Sequence, residues 1–258
     1  MHPDAKWVFA GGHRLEVVEY AARQAARPTL VLLHEGLGSV AMWRGFPAEV
    51  ARVTGCRTVV YSRYGYGQSD ALEASRRPDY LHREAREALP ELLAALAIEN
   101  PVLIGHSDGG SIALIHAGSG FAVAGLVVMA PHCFVEDLTI RGIEEAGRVA
   151  RNTDLLDRLA RFHRDSRKTF QGWNDIWLHP DFRAWNIEDV LPAIHCPIVA
   201  IQGVGDEYGT MAQIEAIARG ATGAEVELLA LAGCGHSPHK DQPEAVIAAI
   251  VRLLDNLR

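Results

Sequence analysis

The chain contains 258 residues, of which 48% are hydrophobic, and its formal net charge is −7. This size suits a single α/β domain with a substantial core. No apolar run approaches the roughly 18 residues of a membrane span, and the lysines and arginines are interspersed with acids. The composition therefore argues against a membrane-spanning segment and against nucleic acid as a partner.

The cysteines and the N-terminus bear on the compartment. The opening residues, MHPDAKWVFAGG, have neither a basic start nor an apolar core, so we expect no signal peptide. The four cysteines lie far apart and form no C-x-x-C pair: Cys56, Cys133, Cys196 and Cys234. This pattern argues against a zinc site and is typical of a reducing compartment, so we expect a cytoplasmic protein.

Short runs rich in Val, Ile and Leu recur along the chain and predict β-strands. We place these strands at residues 7–9, 15–20, 29–34, 57–62, 101–105, 125–130, 197–203 and 225–230. Continuous apolar runs are typical of parallel strands that are covered on both faces. Helical patterns occur at residues 46–53, 80–98, 107–116, 211–219 and 243–254, and Pro90 is predicted to kink or divide the second. The alternation predicts an α/β fold with a mostly parallel central sheet of about eight strands and helices on both faces.

One region interrupts this alternation. From about Cys133 to Leu191 there is no strand-like run, only polar helical patterns and the aromatic-rich stretch TFQGWNDIWLHPDFRAW. A simple loop of this length is uncommon in a compact domain. We therefore predict a core formed by residues 1–132 and 192–258, and a helical cap, or lid, formed by residues 133–191.

The stretch VLIGHSDGGSIAL joins a predicted strand to a predicted helix. Its G-H-S-D-G centre matches G-x-S-x-G, in which a serine sits on a sharp, strained turn and side chains at the glycine positions would collide with the neighbouring chain. A serine hydroxyl becomes a good nucleophile only when a base takes its proton. Ser107 is therefore the candidate nucleophile. The alternative is a plain tight turn with a serine near a helix N-terminus.

The partners of this serine are expected after later strands, first an acid and then a histidine. Asp206 and Glu207 follow the strand at residues 197–203, and His236 follows the last predicted strand in GCGHSPHKD. Groups at the carboxyl ends of parallel strands collect at one edge of the sheet. We assign Asp206 and His236 as acid and base, with Glu207 and His239 as the alternatives.

An oxyanion intermediate needs two N–H donors. The residue after the nucleophile, Asp108, supplies one from its backbone, and the loop HEGLGS at residues 34–39 is expected to supply the other. We assign the second donor to Gly36, with Leu37 as the alternative. Loss of one such donor costs about 3–4 kcal/mol of barrier in other enzymes, so this loop matters for activity.

The motifs LLHEGLGS, YSRYGYGQSD, GHSDGG, GVGDEYG and GHSPHKDQPE occur in this order over nearly the whole chain. In this respect the sequence resembles the α/β-hydrolase fold superfamily of serine hydrolases with a Ser-Asp-His triad. The resemblance implies a structural rather than a catalytic role for Arg63. The loop after the third strand often begins His-Gly in this superfamily, whereas here it reads His34-Glu35-Gly36. Counting from His34, the position that resembles the oxyanion donor is again Gly36.

Several residues are candidates for substrate contact. Trp173 and Trp177 are spaced i, i+4 and share a helix face, where they either wall an apolar pocket or dock the lid onto the core. The other candidates are Glu35, Leu37, Trp43 and His132. The acid at position 108 is either favoured by the helix dipole or resembles that of hydrolases in which a carboxylate pairs with an amine of the substrate.

Together these residues predict a serine hydrolase that cleaves a small carboxylic ester through a covalent acyl-enzyme. The alternative on the same triad is a lactone, a thioester or the carbon–carbon bond of a ring-cleavage product. An alternative of another class is a non-catalytic small-ligand receptor of the same fold, because fold does not determine function. No P-loop, early G-x-G-x-x-G or H-E-x-x-H is present, so we expect no metal or organic cofactor. A small-molecule substrate is the expected partner, and the oligomeric state is left open.

Overall fold

Eight strands form one sheet in the computed structural model, which describes residues 4–24 and 27–257. In chain order the strands are β1 (Lys6–Ala10), β2 (His13–Tyr20), β3 (Leu30–Leu33), β4 (Thr58–Tyr61), β5 (Val102–His106), β6 (Gly125–Met129), β7 (Ile198–Gly203) and β8 (Val226–Leu231). Each strand coincides, within a residue or two at either end, with an apolar run identified in the sequence.

The strands lie in the order β1-β2-β4-β3-β5-β6-β7-β8 across the sheet. β2 pairs antiparallel with β1 and with β4, and the remaining pairs are parallel. The carboxyl ends of β3, β5, β7 and β8 therefore meet at one edge of the sheet, where groups that act together are usually found in open parallel sheets. The predicted α/β class with a mostly parallel eight-stranded sheet is confirmed.

Helices cover both faces of this sheet. They are α1 (Phe46–Thr54), α2 (Tyr80–Arg83), α3 (Leu89–Ala95), α4 (Asp108–Gly118), α5 (Asp137–Asn152), α6 (Leu155–Leu159), α7 (Ser166–Trp177), α8 (Ala212–Gly220), α9 (Pro238–Asp241) and α10 (Pro243–Asn256). Successive strand residues point to opposite faces, so Leu103 of β5 packs in the cluster that contains Ile112 of α4. Its neighbour Ile104 packs in the other cluster, with Val50 of α1 and Ile250 of α10. Within the described ranges, no helix combines the length and apolar character needed to cross a membrane.

The helix predicted over residues 80–98 contains an irregular turn. α2 passes into a π-helical turn at Glu84–Ala88 and then into α3, which carries Pro90 in its first turn. Proline has no N–H, and its ring collides with the carbonyl four residues earlier in a regular helix. The π turn before Pro90 widens the backbone at that point. The chain therefore continues past the proline with a local change of helix type.

Between β6 and β7 the chain leaves the sheet. Residues 133–191, here called the inserted segment, contain α5, α6, α7 and the 3₁₀ turn Pro180–Phe182, and a second 3₁₀ turn, Glu188–Ala193, begins within the segment. α7 packs on α5 and α6, and an isolated β-bridge pairs Phe134 with Asn186. Whether this segment acts as a lid stays a prediction.

Candidate active site

The turn between β5 and α4 holds Ser107 in a strained conformation. Its φ of 52° and ψ of −117° lie in a region that residues other than glycine rarely occupy. A Cβ on Gly105 would lie 2.3 Å from the carbonyl oxygen of Gly109, and a Cβ on Gly109 would lie 2.1 Å from that of Leu33. Only glycine fits at these two positions, so the tight turn depends on both of them.

Asp206 and His236, which follow β7 and β8, are joined by a hydrogen bond. Nδ1 of His236 lies 2.9 Å from Oδ1 and 2.8 Å from Oδ2 of Asp206. The carboxylate also accepts from Nε2 of Gln202 and from the N–H of Tyr208, each at 2.7 Å. Donors from β7 and from the loop after it therefore hold the carboxylate independently of the histidine.

The charge of Asp206 determines which ring nitrogen of His236 carries a proton. Burial alone would raise the pKa of Asp206, but the hydrogen bonds from His236 and Tyr208 hold it below its ordinary value. An ionised carboxylate can only accept, so Nδ1 of His236 donates and Nε2 keeps its lone pair. The imidazole thus has the tautomer that a general base requires.

The main chain of His236 reaches the turn that carries Ser107. Nε2 of His106, the residue before Ser107, lies 2.6 Å from the carbonyl oxygen of His236. The ring centroids of the two histidines are 5.2 Å apart. The fold therefore brings the Asp206–His236 pair beside the serine turn, although the two parts are far apart in the sequence.

The two alternative residues lie elsewhere. Glu207 is exposed, whereas His239 is buried against Trp43 and Phe46, with ring centroids 4.6 and 5.5 Å away. Burial, together with the nearby His106, keeps the pKa of His239 well below its ordinary value. Among the described residues, neither alternative is hydrogen-bonded to the carboxylate–imidazole pair.

The loop after β3 (residues 34–39, the β3 loop) is anchored by a backbone carbonyl. The carbonyl oxygen of Glu35 accepts from Nη2 of Arg63 at 3.1 Å and lies 2.7 Å from Nδ1 of His34. A trans peptide directs its C=O and N–H to opposite sides, so the N–H of Gly36 points away from Arg63. No hydrogen-bond partner for that N–H occurs in the described part of the chain.

Arg63 is a fully buried cation that pairs with Asp108. Its Nη2 lies 3.3 Å from Oδ2 of Asp108, and the same oxygen accepts from the hydroxyl of Tyr80 at 2.9 Å. Burial alone would lower the pKa of Arg63, but Tyr66 and Asp108 hold it above its ordinary value. The Asp108 carboxylate thus faces a cation of the protein itself, while its backbone N–H lies in the first turn of α4, where no intrahelical acceptor exists.

The inserted segment contacts the β3 loop through His163. Nδ1 of this ring accepts from the N–H of Gly67 at 3.0 Å, and Nε2 lies 3.0 Å from the carbonyl oxygen of Leu37. Because Nδ1 accepts, Nε2 carries the proton and donates to Leu37. Burial lowers the pKa of His163 to about 4, so this bridge is made by a neutral ring at neutral pH.

Two tryptophans of the inserted segment lie close to the β3 loop and to the surroundings of His236. The ring of His132 is 6.0 Å from that of His236 and 5.0 Å from that of Trp177. Burial and the nearby His236 lower the pKa of His132 to about 4, so this imidazole is neutral at neutral pH. A Cβ on Gly36 would lie 2.1 Å from Nε1 of Trp173. Trp173 therefore contacts the β3 loop, and Trp177 contacts His132, whose ring lies close to that of His236.

Glu35 and Trp43 have different surroundings. The carboxylate of Glu35 lies 3.4 Å from Nδ1 of His106 and 3.7 Å from Nζ of Lys240. Trp43 packs in the cluster of α1 and α10 and lies against His239. Substrate contact by the side chains of Glu35, Leu37 and Trp43 stays a prediction.

Three supporting residues received no role from the sequence: His106, His163 and Gln202. His106 and Gln202 are polar residues near the ends of otherwise apolar strands, which is a signal that the sequence offers. His163 offers no such signal, because its two hydrogen-bond partners are 96 and 126 residues away along the chain.

Comparison with known proteins places these features in a family. A family model described as the alpha/beta hydrolase family matches residues 30–249. Human serine hydrolase BPHL is 26% identical over 180 residues, covering 66% of this chain and 60% of that protein. Bovine protein phosphatase methylesterase 1 is 24% identical over 195 residues, covering 74% of this chain and 47% of that protein. The matches thus span between about half and three-fifths of the length of these two relatives.

A solved structure shows the same fold. The enol-lactonase from Burkholderia xenovorans LB400 matches with a TM-score of 0.74 at 18% identity, covering 97% of this chain and 100% of that chain. This likeness concerns the fold alone. The family model, by contrast, spans most of the sequence, from β3 into α10. The chain therefore belongs to the alpha/beta hydrolase family.

Proposed function

We propose that this chain is a serine hydrolase that cleaves a small carboxylic ester. The observation that carries the proposal is the hydrogen bond between Asp206 and His236 beside the strained turn of Ser107. A serine, a histidine with a free ring nitrogen and a buried carboxylate are the groups that acyl transfer requires. A serine hydrolase and a methylesterase among the relatives support hydrolysis as the reaction class.

In the first half-reaction, Oγ of Ser107 attacks the ester carbonyl carbon while Nε2 of His236 takes the hydroxyl proton. The tetrahedral intermediate collapses when the imidazolium of His236 gives this proton to the leaving alcohol oxygen. The carbon–oxygen bond of the ester breaks, and an acyl-enzyme on Ser107 remains. Asp206 stays ionised throughout, orients the ring and stabilises the imidazolium.

In the second half-reaction, water replaces the alcohol. Nε2 of His236 takes a proton from the water molecule, whose oxygen attacks the acyl carbonyl carbon. The second tetrahedral intermediate collapses when His236 returns the proton to Oγ of Ser107. The carboxylic acid leaves, and the enzyme is restored without any external co-reactant.

The backbone N–H groups of Gly36 and Asp108 are the proposed oxyanion donors. The carbonyl of Glu35 is held by Arg63, which sets the direction of the Gly36 N–H. Asp108 begins α4, so its N–H belongs to the partial positive end of a helix. Donors that are oriented before the reaction stabilise the developing charge without reorganisation.

We assign the substrate pocket to the region between the β3 loop and the inserted segment. Trp173 and Trp177 supply apolar walls, and His132 supplies a neutral ring close to His236. Apolar walls with a few polar groups are typical of small-molecule sites. The remaining proposed contacts are Glu35, Leu37 and Trp43. These surroundings favour a small, uncharged acyl group.

Steady-state hydrolysis of a series of short-chain p-nitrophenyl esters tests the proposal. We expect sustained turnover by the wild type and a loss of about 10⁴–10⁶-fold in Ser107→Ala. Ser119→Ala is the matched control, because Ser119 follows the other end of α4 and accepts from Arg86 at the surface. This control should keep wild-type turnover.

The possible results separate the alternatives. Equal rates for the wild type and Ser107→Ala would contradict the proposal. Inactivity towards esters with turnover of a lactone, a thioester or a ring-cleavage product would assign the triad to that bond. Stoichiometric binding without repeated turnover would indicate a receptor instead.

We also propose a cytoplasmic location. The four cysteines are free in the structure, and unpaired cysteines are typical of a reducing compartment. Fractionation of the native host, with detection of the protein in the cytoplasmic or the exported fraction, tests this proposal.

A further inference from the structure

A second carboxylate–imidazole pair lies behind the proposed triad. Nδ1 of His106 is 3.4 Å from Oε2 of Glu35, which is within ion-pair distance but longer than a well-formed hydrogen bond. The other ring nitrogen, Nε2, is 2.6 Å from the carbonyl oxygen of His236. His106 therefore connects the β3 loop to the residue proposed as general base.

This pair is largely buried, and its carboxylate is charged. The side chain of His106 is 1% exposed and that of Glu35 is 15% exposed. Burial alone would raise the pKa of Glu35, but His106 and then Lys240 hold it well below its ordinary value. The titratable groups that face His106 are Glu35 from the β3 loop, His236, and His239 from α9, and Lys240 of α9 faces Glu35.

The partners of His106 determine its protons. A backbone carbonyl can only accept, so Nε2 must carry a proton to hydrogen-bond with His236. Nδ1, by contrast, has no hydrogen-bond partner among the described residues and lies 3.4 Å from the Glu35 carboxylate. The contact at Nε2 is therefore the one that fixes the ring.

The local backbone is built around the Glu35 side chain. A Cβ on Gly38 would lie 2.3 Å from Oε2 of Glu35, so the carboxylate occupies the space that a side chain at position 38 would need. A glycine at position 35 would have no group to offer His106. The glutamate thus adds a contact that the shorter residue cannot make.

We propose that Glu35 and His106 are positioning residues that hold His236 for catalysis. This inference rests on the proposed function. Asp206 fixes the ring of His236 at Nδ1, and His106 fixes its main chain at the carbonyl oxygen. Two fixed points restrict both the rotation of the ring and the displacement of the loop, so Nε2 of His236 stays directed at its reacting partner.

Substitution of His106 by Gln and by Asn tests the contact to His236. The amide nitrogen of Gln lies where Nε2 lies in histidine, so it can donate to the His236 carbonyl. The amide of Asn lies at the Nδ1 position and cannot reach it. We expect Asn to lower kcat/KM about 100-fold, mainly through kcat, as for a small displacement of a catalytic group. The Gln variant should keep at least about a tenth of the wild-type kcat/KM.

The exposed His195 provides a control. His195→Asn should match the wild type. Wild-type activity in His106→Asn would overturn the proposal, and so would equal losses in the Gln and Asn variants.

A second measurement does not depend on turnover. In ¹⁵N NMR spectra of the wild type, Nε2 of His106 should give the shift of a protonated ring nitrogen, and Glu35→Gln should change the shift of Nδ1. Amide hydrogen exchange at residues 233–237 should become about tenfold faster in His106→Asn but not in His106→Gln, because only the Asn variant loses the carbonyl contact. An unprotonated Nε2 of His106 in the wild type, or unchanged exchange in the Asn variant, would overturn the proposal.

The two readouts distinguish the two proposals. If the wild type does not hydrolyse any ester but the exchange and NMR results are as expected, the proposed function fails and the positioning contact stands. If the wild type hydrolyses esters and Ser107→Ala does not, but the His106 variants behave alike, the function stands and the positioning role fails.

Discussion

The two loops that border the serine turn are held in different ways. The β3 loop (residues 34–39) is held through its backbone carbonyls, which accept from the buried Arg63 and from His163 of the inserted segment. The loop after β8 (residues 232–237) is also held at its backbone, through the carbonyls of Ala232 and Cys234 and the N–H of Gly235. In addition, the ring and the carbonyl of His236 are contacted by side chains. One loop is anchored at its backbone, and the other at its backbone and also at the ring of His236.

This difference follows from what each loop must present. The β3 loop presents a backbone N–H, and the direction of an N–H is fixed by holding the carbonyl of the same peptide. The second loop presents a ring nitrogen, which is fixed by occupying the other nitrogen of that ring. We therefore expect changes beneath the β3 loop to reduce stability as well as activity, and changes around His236 to reduce activity with little loss of stability.

The largest expected effect is that of Asp206→Asn on turnover. The amide can donate to Nδ1 of His236, which favours the tautomer with its proton on Nε2 and removes the base. We expect kcat to fall about 10⁴-fold, as for the equivalent change in other triads. Ester hydrolysis and urea unfolding of the same preparation would check this. A large loss of stability with a small loss of kcat would contradict the comparison drawn above.

Arg63→Met is expected to reduce stability as well as turnover. It leaves the Asp108 carboxylate buried without its cation, which typically costs about 3–5 kcal/mol of folding free energy. The β3-loop carbonyls also lose their donor, so kcat should fall too. Urea unfolding measures the loss, and the double variant Arg63→Met/Asp108→Leu should recover part of it. A stable Arg63→Met protein with wild-type kcat would show that the loop does not need this anchor.

The hydrogen bonds of His163, which join the inserted segment to the β3 loop, should make the free energy of unfolding depend on pH. The folded-state pKa of His163 is about 4, below the ordinary 6.5, so the unfolded chain binds a proton first as the pH falls. The contribution of His163 is complete above pH 6.5 and decreases by about 3 kcal/mol as the pH falls from 6.5 to about 4. His132 acts in the same direction over the same window.

His163→Gln isolates this contribution. Its side chain has no proton to gain, yet it can still donate to the carbonyl of Leu37. Denaturant unfolding at pH 7 and pH 4.5 should show a smaller loss of stability in the variant than in the wild type. Identical losses in the two proteins would argue against the neutral bridge.

The smallest expected effect is that of Tyr80→Phe. The hydroxyl of Tyr80 donates to Oδ2 of Asp108 at 2.9 Å, and a hydrogen bond to a buried charge contributes about 2 kcal/mol. Arg63 still compensates the carboxylate, so the loss of stability should be smaller than in Arg63→Met. Tyr64→Phe is the control, because its hydroxyl accepts from Glu73 at the surface. A larger loss in Tyr80→Phe than in Arg63→Met would reverse the order of importance assigned here.

Much of the sheet follows from local sequence. The run at residues 101–105 is apolar throughout because β5 is covered on both faces, and this composition distinguishes it from a half-exposed strand. The spacing of Gly105 and Gly109 around Ser107 indicates the turn, since both glycines meet backbone in the structure. Asp206 and His236 could be predicted from their order after strands, because the ends of parallel strands meet at one edge.

The supports of the site could not be predicted in the same way. The contacts from Arg63 to Asp108 and from His106 to His236 join residues that are 45 and 130 positions apart. No local pattern relates such residues, because only the tertiary fold brings them within hydrogen-bond distance. The role of His163 could not be predicted either. On a helical segment rich in charges, the sequence does not distinguish a buried imidazole from a solvated one.

The close approach of Trp173 to Gly36 limits how this protein can diversify. A Cβ at position 36 would lie 2.1 Å from the indole nitrogen, so a side chain there requires Trp173 to shift or to be replaced, and we expect substitutions at the two positions to be epistatic. A lineage, or a directed-evolution experiment, should accept a side chain at position 36 more readily after residue 173 has become smaller. The order of mutations therefore determines which versions of the β3 loop are accessible from this sequence.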